Sequence, residues 1–173
     1  MRALLLVLLA LATAVAQVAV APFFPVLGAV AEFPVVALML LAIFAGPHAV
    51  MIAFPILVLF LGFSTNVEFE WLVLAYLPLL PCAAWIQRQR AIPQSPYALV
   101  LVMGVAAGVW ARGALSVVAV ASGASPTFGA VITDILLPGM AFDAVVLSVL
   151  YAICWYIGWP VRSLELEDAG YGP

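Results

Sequence analysis

Three charged residues interrupt long apolar runs: Arg112, Asp134 and Asp143. If those runs lie in a bilayer, these are the positions where chemistry could occur. A lone charge at the centre of a spanning helix costs roughly 2.5–3.5 kcal/mol even on a lenient insertion scale. At about 1.5 Å per residue, Arg112 lies about 12 Å below the outer end of its run, Asp134 about 4–5 Å and Asp143 about 18 Å. A cation and a carboxylate at such depth are expected to pair. Arg112 meets Asp134 if its long side chain extends toward the surface, and Asp143 if it faces inward. The deeper aspartate has the greater need of a cation and is the favoured partner. Such a pair would lock two helices together; the other readings are a proton or solute pathway and a polar contact with a partner's membrane helix. A relay normally uses more titratable groups than these.

Gly104, Gly108 and Arg112 follow one another at intervals of four. That spacing stacks them on one helix face, where glycine permits close backbone approach, so Gly104 and Gly108 are expected to be helix-packing positions. Asn66, Glu68 and Glu70 form a short polar link and are candidate contacts for a partner or a solute. Cys82 and Cys154 both stand in apolar stretches and are expected to be free thiols packed as small hydrophobes. His48 follows Gly46-Pro47 and reads as a solvated turn residue. One histidine and two separated cysteines cannot assemble a zinc or iron–sulfur ligand set. The chain holds no His-Glu-x-x-His, no Gly-x-Ser-x-Gly, no phosphate-cradling glycine loop and no Cys-x-x-Cys-His. No catalytic residue, metal or cofactor is therefore expected, and the chain is not expected to be an enzyme.

The elements that would carry these residues follow from composition. Hydrophobic residues make up 68% of the 173 positions and charged residues 8%, with a mean hydropathy of +1.31. A soluble domain carries about 25% charged residues, so this chain could not cover a water-facing surface. The expectation is an all-α, polytopic integral membrane bundle. The five basic residues are all arginine and form no patch for nucleic acid or anionic lipid. Arg2 and the apolar run after it resemble a signal peptide. The run continues to Ala21, however, and more spanning segments follow, so a retained first helix over about 3–21 is expected.

Proline, glycine and charge punctuate the remainder. A fairly apolar connection with Pro25, Gly28 and Glu32 leads to the run 33–62, either one long helix or two short ones broken at Gly46-Pro47-His48. Helices are then expected over about 69–86, 97–120 and 131–159, with kinks or breaks at Pro55, Pro78, Pro81 and Pro138. Charge parity chooses between the two readings of 33–62. A hairpin of two short helices gives six spans, with Arg2, Arg88, Arg90 and Arg162 on one side and Glu32, Glu68 and Glu70 on the other. Every loop arginine then obeys the positive-inside rule, and both termini are cytoplasmic. A single span would place Arg88 and Arg90 outside. The expected organisation is one bundle over 1–162 and a short acidic cytoplasmic tail over 163–173.

This layout resembles a family, the bacterial rod shape-determining protein MreD. Arg2-Ala3-Leu4-Leu5-Leu6 opens a helix that passes Gln17 into Pro22-Phe23-Phe24-Pro25, and Glu32-Phe33-Pro34 leads into the next apolar helix. The Gly46-Pro47 turn and the helix ending near Gly62 also fit. Leu137-Pro138-Gly139-Met140-Ala141-Phe142-Asp143 is similar to the family's Leu-Pro-x-x-x-x-Asn pattern, with Asp143 in place of the Asn. The chain departs from the family at the end of the third helix, which lacks an Asp, and in a tail with Arg162 alone before Glu165, Glu167 and Asp168. The resemblance implies a non-enzymatic scaffold of the cell-elongation complex in the bacterial cytoplasmic membrane. Its implied partners are MreC, MreB filaments and a RodA-type glycosyltransferase with its class B penicillin-binding protein. The alternative from another class is a solute-binding subunit like the six-helix S components of vitamin importers, whose fold the MreD bundle resembles. A third is a subunit of a respiratory or photosynthetic assembly.

Overall fold

Proline and glycine set most of the helix boundaries, since one lacks a donor N–H and the other reaches backbone conformations closed to the rest. The computed structural model describes residues 2–25, 28–65, 67–89, 96–121, 123 and 128–157. Helix α1 (Arg2–Val15) continues through a π turn, Ala16–Val20, and a 3-10 turn, Ala21–Phe23, that contains Pro22. Helix α2 (Phe33–Phe44) has Pro34 in its first turn, where no N–H is needed. The chain then reverses at Gly46, whose φ of +89° with ψ of 170° is open to glycine alone. Pro47 follows at once as the first residue of α3 (Pro47–Ser64). The run 33–62 is thus two helices joined by a two-residue turn.

The apolar stretch 69–86, expected as one helix, is interrupted at Leu77 and Pro78 into α4 (Phe69–Tyr76) and α5 (Leu79–Gln89). Pro78 has no N–H to continue the ladder, and Leu80 bonds back to the carbonyl of Leu77 instead. The next helix, α6 (Pro96–Ala121), is the longest at 26 residues. A short α7 (Phe128–Ala130) runs into a π segment, Val131–Leu136, and then α8 (Leu137–Tyr156). The π segment lies directly before Pro138, where widening the helix relieves the clash between the proline ring and the preceding turn. The expected tail over 163–173, together with Arg90, Ser125 and Arg162, lies outside the described residues.

All regular elements among the described residues are helical, and five stretches are long and apolar enough to cross a membrane: Leu4–Phe23, Pro47–Ser64, Phe69–Ile86, Tyr97–Ala121 and Val131–Tyr156. By the length and composition of these helices the chain is a multi-pass helical membrane protein. Their outer faces expose Phe63, Trp110, Val117 and Trp155, side chains that a bilayer solvates and water does not.

Helix α2 is different. Its 12 residues span about 18 Å, well short of the roughly 30 Å hydrocarbon core. Nine of the twelve are buried, and the helix packs against α1, α3, α5, α6 and α8. A helix that is apolar all round belongs in an interior, and α2 is the central strut of this one. Being enclosed by protein, it need not reach either membrane surface. The backbone leading into it can also leave the helical path, provided that protein groups satisfy its N–H and C=O groups.

Candidate functional site

Those groups come from α6 and α8, which pack antiparallel with large residues set opposite glycines. A Cβ on Gly104 would come within 2.7 Å of Leu147 Cδ2, one on Gly108 within 2.6 Å of Asp143 Oδ2, and one on Gly139 within 2.6 Å of Arg112 Nε. The two stripes 104-108-112 and 139-143-147 therefore interlock in opposite directions, each bulky side chain filling the space a glycine leaves. Close approach of this kind replaces the hydrophobic driving force that is missing between helices in lipid.

Within this seam Arg112 and Asp143 form a two-point pair. Arg112 Nη1 donates to Asp143 Oδ2 at 2.5 Å and Nη2 to Oδ1 at 2.9 Å. Planar guanidinium and carboxylate match in this arrangement, the strongest an ion pair offers. Both side chains are buried, with exposures of 5% and 3%.

The pair also holds the connection before α2. Arg112 Nη2 donates to the carbonyl of Val30 at 2.8 Å, and Asp143 Oδ1 accepts the N–H of Glu32 at 2.9 Å. Gln17, from the π turn after α1, accepts the N–H of Phe33 through Oε1 at 2.9 Å. Three backbone groups of an irregular segment are thereby satisfied by three side chains from three separate elements. Glu32 itself is only 9% exposed, and its Oε2 accepts the Tyr76 hydroxyl of α4 at 2.9 Å. Burial raises the Glu32 carboxyl above its ordinary value, opposed by the Arg112 charge and the Tyr76 hydrogen bond, with Asp143 adding to the rise. Trp110, two residues before Arg112 on α6, donates to the carbonyl of Leu74 at 3.3 Å and ties α4 to α6.

The structure brings Arg112, Asp143, Gly104 and Gly108 together and leaves the other candidates apart. Asp134 stands exposed on the π segment, where its Oδ1 accepts from Thr133 Oγ1 at 2.7 Å, and it takes no part in the pair. The end of the π segment and Pro138 separate it from Gly139, the residue that packs on Arg112. Glu68 and Glu70 are exposed at the start of α4, and Asn66 lies outside the described residues. Glu32 and Tyr76 were missed as site residues. Glu32 read as one of three acids on an outer loop, whereas it lies inside the bundle beside Arg112. Its one sequence signal was position: a lone acid in an otherwise apolar connection, two residues before a proline-started helix.

Away from this cluster, a groove of about 350 Å³ runs between α1, α2 and α8. Its walls are apolar, among them Leu9, Phe33, Leu40, Phe44 and Leu150. Thr13, which also borders it, donates its hydroxyl back to the Leu9 carbonyl at 2.8 Å. No protein family model, curated protein or solved structure matches this chain.

Proposed function

We propose that this protein is a non-enzymatic scaffold subunit of a membrane complex, of the kind represented by MreD in bacterial cell elongation. The observation that carries this reading is how the buried polar groups are used. Arg112, Asp143 and Gln17 spend their hydrogen bonds on fixing helices and one connection, and Tyr76 turns its hydroxyl to a residue of that connection. A transporter subunit instead aims such groups into a cavity large enough for its solute. Here the groove of about 350 Å³ is apolar, and Glu68 and Glu70 lie exposed on the surface rather than converging on it. Rigid positioning of apolar outer faces is what a scaffold requires.

The reading includes six spans, with α2 and α3 as a hairpin and both termini cytoplasmic, in the bacterial cytoplasmic membrane. Its partners would be an MreC-like protein, MreB filaments and a RodA-type glycosyltransferase with its class B penicillin-binding protein. Affinity purification of the tagged chain from its native membranes, followed by mass spectrometry, tests it. The expected outcome is co-isolation of a peptidoglycan glycosyltransferase and an MreC-like protein. Recovery of an ATPase pair in their place would point to the S-component-like solute binder and overturn the scaffold.

A further inference from the structure

One guanidinium faces two buried carboxylates. Arg112 gives both Nη groups to Asp143, while Glu32 receives the Tyr76 hydroxyl at Oε2. Among the described residues no donor reaches Glu32 Oε1. With both carboxylates ionised the cluster would carry one uncompensated negative charge, in surroundings where an unpaired charge is very costly. One proton neutralises it, and the hydrogen bonds say where that proton sits. Asp143 cannot hold it: Oδ2 accepts from Nη1, and Oδ1 accepts from both Nη2 and the Glu32 N–H. All of these contacts require an acceptor. At Glu32, Oε2 accepts from Tyr76, and Oε1 has no partner among the described residues. Tyr76 remains the neutral donor. The titratable side chains facing Glu32 are thus Tyr76 from α4, Arg112 from α6 and Asp143 from α8.

We propose that this cluster is a proton-binding site, in which Glu32 carries one exchangeable proton on Oε1 and thereby latches the connection 28–32 between α6 and α8. Release transfers the proton to water and leaves Glu32 as a carboxylate, with no other bond made or broken. The ionised Glu32 then competes with Asp143 and the Val30 carbonyl for the single guanidinium. Two of the three clamps on the connection depend on that guanidinium or its partner, so losing the proton loosens the entry to α2, the strut of the bundle. The site is independent of the scaffold reading, since it rests on charge count and hydrogen bonds alone.

The sign of the pH effect follows from linkage. The folded protein keeps the Glu32 proton to higher pH than the unfolded chain does, so this contribution to stability is present at low pH. It is lost as pH rises through the folded-state midpoint.

The test uses the full chain in lipid nanodiscs, by infrared difference spectroscopy on a pH step and by thermal unfolding across pH. The wild type is expected to show a protonated-carboxyl C=O band that disappears on raising the pH, and a melting temperature that falls over the same interval. Glu32→Gln should remove the band and flatten the melting profile. Tyr76→Phe removes the donor to Oε2 and should shift both the band and its titration midpoint, and it carries the test alone if Glu32→Gln does not fold. A wild-type spectrum without the band, a band that survives Glu32→Gln, or one unmoved by Tyr76→Phe overturns the proposal.

Discussion

Arg112 donates to three acceptors at once, two oxygens of Asp143 and the Val30 carbonyl, and its charge also acts on Glu32. A residue used so heavily cannot be removed without stranding its partners. Breaking a buried pair from one side typically costs about 3–5 kcal/mol, because the remaining charge is left uncompensated. Arg112→Ala and Asp143→Asn should each lower thermal stability in detergent by an amount of that order. The double variant should lose less than the sum of the two, since neither change then strands a charge. Strictly additive losses in this cycle would show that the pair contributes no coupling. Asp134→Asn is the internal control: the residue is exposed and bonded to Thr133, so little change is expected.

At the level of elements, the α6–α8 seam depends on glycines whose neighbours leave no room for a methyl group. Gly108→Ala would place a Cβ 2.6 Å from Asp143 Oδ2, an oxygen that can move away only by disturbing its hydrogen bond with Arg112. Overpacking of this kind costs about 1–3 kcal/mol. Gly113, on the same helix, has nothing within 4 Å of its would-be Cβ. Gly113→Ala should therefore be neutral or stabilising by about 0.5–1 kcal/mol, the ordinary helix preference for alanine. Equal destabilisation by the two substitutions, measured by thermal unfolding, would mean that the seam is not the origin of the effect. A second clamp closes the opposite end of the same pair. Ser148 Oγ donates to the Ala144 carbonyl, so the Tyr97 hydroxyl, 2.8 Å away, donates to Ser148. The Tyr97 ring lies 5.3 Å from Tyr151, which in turn tilts against Phe44 at the end of α2. The two helices are thus fixed near both ends of their contact, with the strut held between them.

Across the whole molecule, a short buried α2 next to five longer apolar stretches raises the question of which loops face which side. With α2 and α3 counted as a pair, Arg88 and Arg90 share a side with Arg2, in keeping with the positive-inside rule. Reporter fusions at Gln89 and after Pro173 should both report cytoplasm, and one at Ser125 the exterior. An exterior signal at Gln89 would make the run from Phe33 to Ser64 a single crossing in topological terms and reverse the sidedness of everything after it.

The amino-acid sequence by itself determined the helical membrane class, because 8% charged residues cannot clothe a soluble surface. It also marked the break at Gly46-Pro47, where a positive φ and a missing N–H are properties of those two residues whatever surrounds them. Arg112 and Asp143 were legible for a similar reason: a charge deep in an apolar run must find an opposite charge, and few are within reach. The choice of Asp143 over Asp134 was less so. Depth estimates left both within reach, and only the packed seam, with Gly139 under the guanidinium and Gly108 under the carboxylate, decided it. Glu32, Tyr76 and Gln17 could not be assigned in advance. Their roles depend on α2 being too short to span and being enclosed by its neighbours, which pulls the connection before it into the interior. Burial of a loop is a property of the helices around it, and local sequence carries no record of them.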